Sequence, residues 1–235
     1  RISYCQCVAS QKFEIVDSMK NDRYIPALSY DWLTPFYDPV VRLTTRDGVF
    51  KKALVEQASI EINHRVLDLA CGTATLTLLL KQDQPLAEVV GIDGDGKILA
   101  IAKKKARSAG LEIQFDEGMS FDLPYQYESF DRVISSLFFH HLTRENKLKT
   151  MGEVARVLKP DGEFHVADWG LPANQLMKLS SRFIQLLDGF ETTEDSFAGR
   201  LPVLLTEAGF VNVEETRSFN TLFGTIRLHR CGKTQ

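Results

Sequence analysis

The chain has 235 residues, 44% of them hydrophobic and 25% charged, a composition that can bury a large core without metals or disulfide staples. Its 28 basic and 31 acidic residues leave a formal net charge of −3, so there is no basic field of the kind that gathers nucleic-acid phosphates. No stretch of about 20 apolar residues occurs, which excludes a membrane-spanning helix.

In chain order, residues 1–18 begin without Met, show no kinship with the rest of the chain, and are expected to be a leader outside the fold. Met19 is a plausible start. Residues 19–235 are expected to form one domain: a helical cap over 19–60, a cofactor-binding core over 61–170, a lid over 171–200, and a closing helix with strands over 201–235. Cys5, Cys7, Cys71 and Cys231 form neither a Cys-x-x-Cys pair nor a metal cluster, so no metal is expected and a reducing cytoplasm is the expected setting.

From Arg65 the chain alternates. Arg65–Ala70 is a short apolar run, and Thr73–Lys81 has helical character. Glu88–Asp93 is a second β-branched run, followed by a helix over Asp95–Ala109 that Gly110 stops. Leu111–Asp116 and Phe130–Ser136 read as further strands. A long helix over Arg144–Leu158 is halted by Lys159-Pro160-Asp161-Gly162, and Glu163–Asp168 is a fifth strand. Helices over Asn174–Leu187 and Gly199–Ala208 precede a closing strand pair, Phe210–Thr216 and Phe219–Leu228. Lys103, Lys104, Lys105 and Arg107 read as a solvated helix face.

The β-α alternation implies a parallel sheet with helices on both faces, and such sheets bind ligands beyond the carboxyl ends of their strands. The first strand leads into Asp68-Leu69-Ala70-Cys71-Gly72-Thr73-Ala74, where small residues let the chain turn tightly against a ligand. The second ends in Asp93, placed either to accept from a ribose diol or to cap the helix after it. A dinucleotide fingerprint would require Gly where Ala70 stands and again at Thr75, which disfavours an NAD-type oxidoreductase.

Val66-Leu67-Asp68-Leu69-Ala70-Cys71-Gly72-Thr73-Ala74, Val90-Gly91-Ile92-Asp93, Leu123-Pro124-Tyr125 through Ser129-Phe130-Asp131-Arg132-Val133, Ser135–Leu142 and Glu153–Gly162 resemble, in order and spacing, the motifs of class I S-adenosylmethionine-dependent methyltransferases. The resemblance is closest to the small-molecule enzymes of the ubiquinone/menaquinone-biosynthesis type. It implies an α/β, Rossmann-like doubly wound sheet of seven strands, mostly parallel with an antiparallel last strand, under a helical lid. S-adenosyl-L-methionine is the implied cofactor. Asp68 would orient the loop and the cofactor's amino group. Ala70, Cys71, Gly72 and Thr73 would line the methionine moiety, Asp93 and Gly94 the ribose, and Met119 and Ser120 the adenine. Ser135, Ser136 and Leu137 would border the methionine end and the acceptor, and Tyr37, in a Tyr-Asp segment, would fold over the cofactor.

The chain departs from the pattern at Ala70 and Ala74, where the family has Gly, and at Met119, where it often has an acid. Methyl transfer needs a base only where the acceptor must lose a proton; His140, His141 and Asp168 are the candidates, with Tyr30 or Tyr37 as a third source. The acceptor is expected to be a small, partly apolar molecule. No nucleic-acid partner and no membrane insertion are expected, and the protein is expected to be a monomer or homodimer. An NAD-type oxidoreductase and a non-catalytic cofactor-binding protein are the alternatives.

Overall fold

The structure is a computed structural model describing residues 46–233. The expected leader, the Tyr30–Asp38 segment with Tyr37, and most of the expected helical cap lie outside the described residues.

Helix α1 spans Asp47–Ala58 and precedes strand β1, Arg65–Leu69. The chain then runs through α2 (Thr75–Asp83), β2 (Glu88–Asp93), α3 (Gly96–Ser108), β3 (Gln114–Glu117) and β4 (Phe130–Ser136). A 3₁₀ turn, Phe139–His141, leads to α4 (Arg144–Val157) and β5 (Leu158–Gly170). Helices α5 (Gln175–Asp188), α6 (Phe190–Phe197) and α7 (Leu201–Glu207) precede the hairpin of β6 (Phe210–Asn220) and β7 (Thr225–Lys233). The strands form one seven-stranded sheet in the order β3-β2-β1-β4-β5-β7-β6, with β7 antiparallel to its neighbours β5 and β6. The first three strands step one way and β4 returns to the other side of β1, so the switch point lies between β1 and β4.

Side-chain alternation along the strands feeds two cores. Leu67, Val133, Phe164 and Val166 meet Met151, Val154 and Val157 of α4 on one face. Val66, Val89, Ile134 and Trp169 meet Phe50 and Leu54 of α1 and Leu76 and Leu80 of α2 on the other. Local chemistry sets the helix ends. Asp95 caps α3 by accepting from the N–H groups of Lys97 and Ile98. At its other end Leu111 N–H donates to Ala106 O and Gly110 N–H to Arg107 O, a Schellman motif with Gly110 left-handed at φ +67°. Leu111 therefore closes the helix, and β3 begins only at Gln114 rather than at Leu111 as its alternation suggested.

Other elements also differ from the sequence pattern. Helix α4 ends at Val157, because Leu158 already pairs with Phe130, and Lys159–Gly162 form a bulge before Arg132 pairs with Glu163. A Cβ on Gly162 would come within 2.9 Å of the Leu158 side chain and 3.0 Å of Lys159 O, so the bulge needs glycine there. The hairpin turn lies at Thr221–Gly224, where Thr221 N–H donates to Gly224 O; Phe219 therefore belongs to β6, opposite Ile226. Helix α6 comes after the helix-ending Gly189 and is not apparent in the sequence pattern.

Ala70 and Ala74 both adopt left-handed backbone, with φ +56° and +65°. This explains why glycine suits those places: alanine pays there for a Cβ crowded against its own carbonyl. Ala70→Gly is expected to raise the unfolding free energy by about 0.5–1 kcal/mol, the difference between about 1–2 kcal/mol for a left-handed Cβ and about 0.5–1 kcal/mol for glycine's chain entropy. Urea unfolding of the two proteins measures it, and a loss of stability would mean that the Ala70 methyl makes packing worth more than the backbone strain.

Candidate active site

At the switch point the chain leaves β1 through Ala70, Gly72 and Ala74, all left-handed, and enters α2 at Thr75. Gly72 borders open space among the described residues: a Cβ built on it would meet none of their atoms within 4 Å. Ala70, Gly72, Asp93, Gly94, Met119, Ser136 and Leu137 are all half-buried, and they line the carboxyl ends of β1 to β4. Each is a residue that the sequence motifs single out.

Asp93 ties two strand ends together. One carboxylate oxygen accepts from Gly72 N–H at 2.9 Å and the other from Asp95 N–H at 3.0 Å. The capping of α3 belongs to Asp95, so Asp93 is not used up as a cap. Each oxygen keeps a lone pair for a further donor, which suits adjacent hydroxyls of a sugar. Burial raises the Asp93 carboxyl above its ordinary value, against the Asp95 and Gly72 amides that lower it. The loop after β3 comes to the same place, with Gly118 N–H donating to Asp93 O at 3.1 Å.

Asp68 is buried behind the loop and accepts from Thr77 Oγ1 at 2.6 Å. Burial pushes its carboxyl up to about 7, against the lowering effects of Thr77 and the Lys51 ammonium. Lys51, ion-paired to Asp47 on α1, brings a cation toward this group. Cys71 is placed differently from the other loop residues. Its sulfur packs against the position of Gly91 and sits in a small core with Ala74, Leu99 and Phe115. Burial raises its thiol well above the ordinary range. Thr73 accepts from Lys105 Nζ at 2.9 Å, so one member of the basic run on α3 reaches back to the loop instead of remaining on a solvated face. Ser120 is buried and shares a hydrogen bond with Thr150 of α4 at 2.9 Å. Ser135 Oγ donates to Leu69 O, locking β4 to β1.

Beyond β4, Leu137 is left-handed at φ +54°, and its N–H donates to Ala167 O at 2.8 Å, turning the chain toward the end of β5. This brings His140 onto Asp168. The Asp168 carboxylate accepts from His140 Nδ1 at 2.6 Å, His140 N–H at 3.2 Å and Trp169 N–H at 2.7 Å. Burial alone would raise Asp168, but the His140 imidazole and these donors hold it below the ordinary carboxylate range. An ionised carboxylate only accepts, so Nδ1 carries the proton of this hydrogen bond and the ring is turned with Nε2 on its far side. His141 lies against His140 with ring centroids 3.9 Å apart. Burial, and then the neighbouring His140, push His141 down to about 3.

Sequence reasoning missed Lys147. Its side chain is 1% exposed; Nζ donates to Thr192 O at 2.7 Å and lies 3.8 Å from Asp195, both on α6. Burial lowers its ammonium, against the raising effects of Asp195 and Asp168. The signal was present: Lys147 shares the inward stripe of α4 with Thr150, Met151, Val154 and Val157. Among the described residues no group of three or more His, Cys, Asp or Glu could hold a metal.

A family model described as "Methyltransferase domain" matches residues 66–162. The demethylmenaquinone methyltransferase of Lactobacillus johnsonii is 32% identical over 208 residues, covering 79% of this chain and 84% of the relative. The enzyme of the same name from Thermus thermophilus is 37% identical over 142 residues, 60% of this chain and 64% of that one. Among solved structures, the YcgJ protein of Bacillus subtilis superposes with a TM-score of 0.67 at 19% identity, over 79% of this chain and 98% of that one, a likeness of fold.

The Asp68 value sets a pH dependence. A carboxyl raised from 3.8 to about 7 binds its proton more tightly in the folded state, so stability falls as pH rises between those values. Asp68→Asn is expected to be more stable than the parent at pH 8, by up to about 4 kcal/mol, with the gap closing toward pH 4. Denaturant midpoints across that range test this, and a pH-independent gap would show that the Asp68 carboxyl titrates alike folded and unfolded.

Proposed function

The chain belongs to the class I S-adenosylmethionine-dependent methyltransferases, of the ubiquinone/menaquinone-biosynthesis-like kind, and on that premise we propose that it methylates a small, partly apolar ring bearing an acidic hydroxyl, as in a demethylated quinol. The cofactor is S-adenosyl-L-methionine, and the reaction is methyl transfer to a small-molecule acceptor. The acceptor class is inferred from relatives named for demethylmenaquinone. The single observation that carries the catalytic reading is the His140–Asp168 pair at the carboxyl ends of β4 and β5.

The residues at the switch point fit the cofactor. The open cradle at Gly72 admits close approach, and Asp93 offers paired acceptors to a ribose diol. We assign Asp93 and Gly94 to the ribose, Ala70, Gly72 and Thr73 to the methionine moiety, Met119 and Ser120 to the adenine side, and Ser136 and Leu137 to the boundary with the acceptor, while Ser135, fully buried and bonded to Leu69 O, holds β4 against β1 behind them. Asp68 and Cys71 support the loop from behind. Tyr37, expected from the resemblance to contact the cofactor, lies outside the described residues. When bound, the cofactor supplies an electrophilic methyl group, so the protein's tasks are positioning and proton removal. His140 Nε2 takes the acceptor's hydroxyl proton, and Asp168 holds the ring in the required tautomer while stabilising the imidazolium. His141, held neutral, packs beside it. Asp168 is thus a positioning residue and not itself the base.

An NAD-type oxidoreductase is not favoured, since the matched family and the demethylmenaquinone relatives are methyltransferases. We place the protein in the cytoplasm, a reading supported by the free buried thiols of Cys71 and Cys231. Its partner is a small molecule and not nucleic acid, in keeping with the formal net charge of −3. We propose a monomer or homodimer.

Calorimetric titration with S-adenosylhomocysteine is expected to show binding that Asp93→Ala weakens by about 3 kcal/mol, roughly a hundredfold, for two lost charge-assisted hydrogen bonds. Unchanged affinity would remove Asp93 from the site. Transfer of labelled methyl to a short-chain demethylmenaquinol is expected to fall about 10²–10⁴-fold in kcat for His140→Ala, with S-adenosylhomocysteine affinity preserved. Cofactor binding with no transfer by the parent protein to this or related hydroxylated rings would favour a non-catalytic cofactor-binding protein.

A further inference from the structure

We propose that the outward face of α5 seats the protein on an anionic lipid surface, at the end of the molecule where the site opens. The inference rests on the reading of the acceptor as partly apolar and goes beyond it by naming the surface from which such an acceptor would be reached.

Helix α5 meets the body on one side only among its described residues. Its inner side carries Met177, whose sulfur accepts from Thr225 Oγ1 at 3.7 Å, and the buried Ser181. Leu176, Leu179 and Leu186 fall on the opposite side at about 100° per residue, and they are 76%, 64% and 71% exposed. A helix held to the body by one face gains nothing in water from leucines on the other, so the stripe marks a contact.

Its surroundings identify the occupant. Lys178 and Arg182 are exposed along the flank of the leucine stripe, and the only acid in the helix is its last residue, Asp188. Leucines beside exposed cations are the pattern of a helix that lies in a membrane interface. The chain as a whole carries a formal net charge of −3, so any attraction to an anionic surface has to be local to this face. Position agrees with this. Gly170 pairs with Thr225, which puts the β6–β7 turn at the carboxyl end of β5, the same end as the Asp93 and His140 groups. Exposed Leu222 in that turn and Leu171 just after β5 add apolar surface beside the N-terminus of α5.

Co-sedimentation of the full chain with vesicles of phosphatidylglycerol and phosphatidylethanolamine tests the proposal, with phosphatidylcholine vesicles as the uncharged control. Binding to the anionic vesicles is expected, weakening as salt rises. The triple variant Leu176→Ser, Leu179→Ser, Leu186→Ser should bind roughly a hundredfold or more weakly. Lys178→Glu with Arg182→Glu should abolish the preference for phosphatidylglycerol. Unchanged circular dichroism shows that these variants fold. Absence of vesicle binding by the parent, or binding that the leucine variant leaves intact, overturns the proposal. A dimer by sedimentation velocity that the leucine variant splits, without vesicle binding, assigns the stripe to a second copy and overturns it equally. S-adenosylhomocysteine titration of the same samples keeps the two readings apart. A parent that binds this ligand but not vesicles loses only the surface, whereas one that binds vesicles but not the ligand keeps the surface and loses the cofactor site.

Discussion

A chain that leaves a buried parallel strand and enters a helix within a few residues has to change backbone handedness on the way. Here the change is made at Ala70, Gly72 and Ala74. The rest of the switch point depends on it. The turn aims Gly72 N–H at Asp93, so the end of β1 is fastened to the end of β2. It delivers Thr77 over Asp68, giving the buried carboxyl a donor. It also leaves one side of Gly72 clear of the other described residues. Two of the three left-handed positions are alanines, so the protein tolerates a steric cost there that glycine would avoid.

The second organising element is charge held in a low-dielectric interior. Asp168 stands among His140, His141 and the Lys147 ammonium. A buried carboxylate is tolerated only when its lone pairs are taken, and here three donors take them. The same group therefore fixes the 3₁₀ turn, selects the His140 tautomer and, through Lys147 and Asp195, sits next to the anchor of α6. Structure and chemistry use one set of bonds, which is why the pair lies at a strand end and not on a loop tip.

Most of this was legible in the residues. The bounds of β2 and β4 came directly from β-branched runs, and the end of α3 from Gly110, because those signals are local. Boundaries that depend on a partner strand were not readable: the bulge after α4 exists because Leu158 finds Phe130, and β6 runs past Thr216 because β7 is there to pair with it. At the site, strand-end position singled out Asp93, His140 and Asp168 as candidates, but only the folded chain shows that Asp95 takes the cap and that Asp168 lies behind His140. Lys147 was hidden by its type, since lysine reads as solvated even on an inward stripe.

The place of β7 has a consequence for how the molecule is made. It is the last of the seven strands to be synthesised, yet it lies inside the sheet between β5 and β6. Until it emerges, β5 presents an open edge beside Phe164 and Val166, and β6 has no neighbour to join. The half of the sheet from β3 to β5 can assemble during translation, while the other half waits for β7. The nascent protein therefore passes through a stage with a long, sticky margin, the point at which a chaperone would be most needed and a truncated product most prone to aggregate.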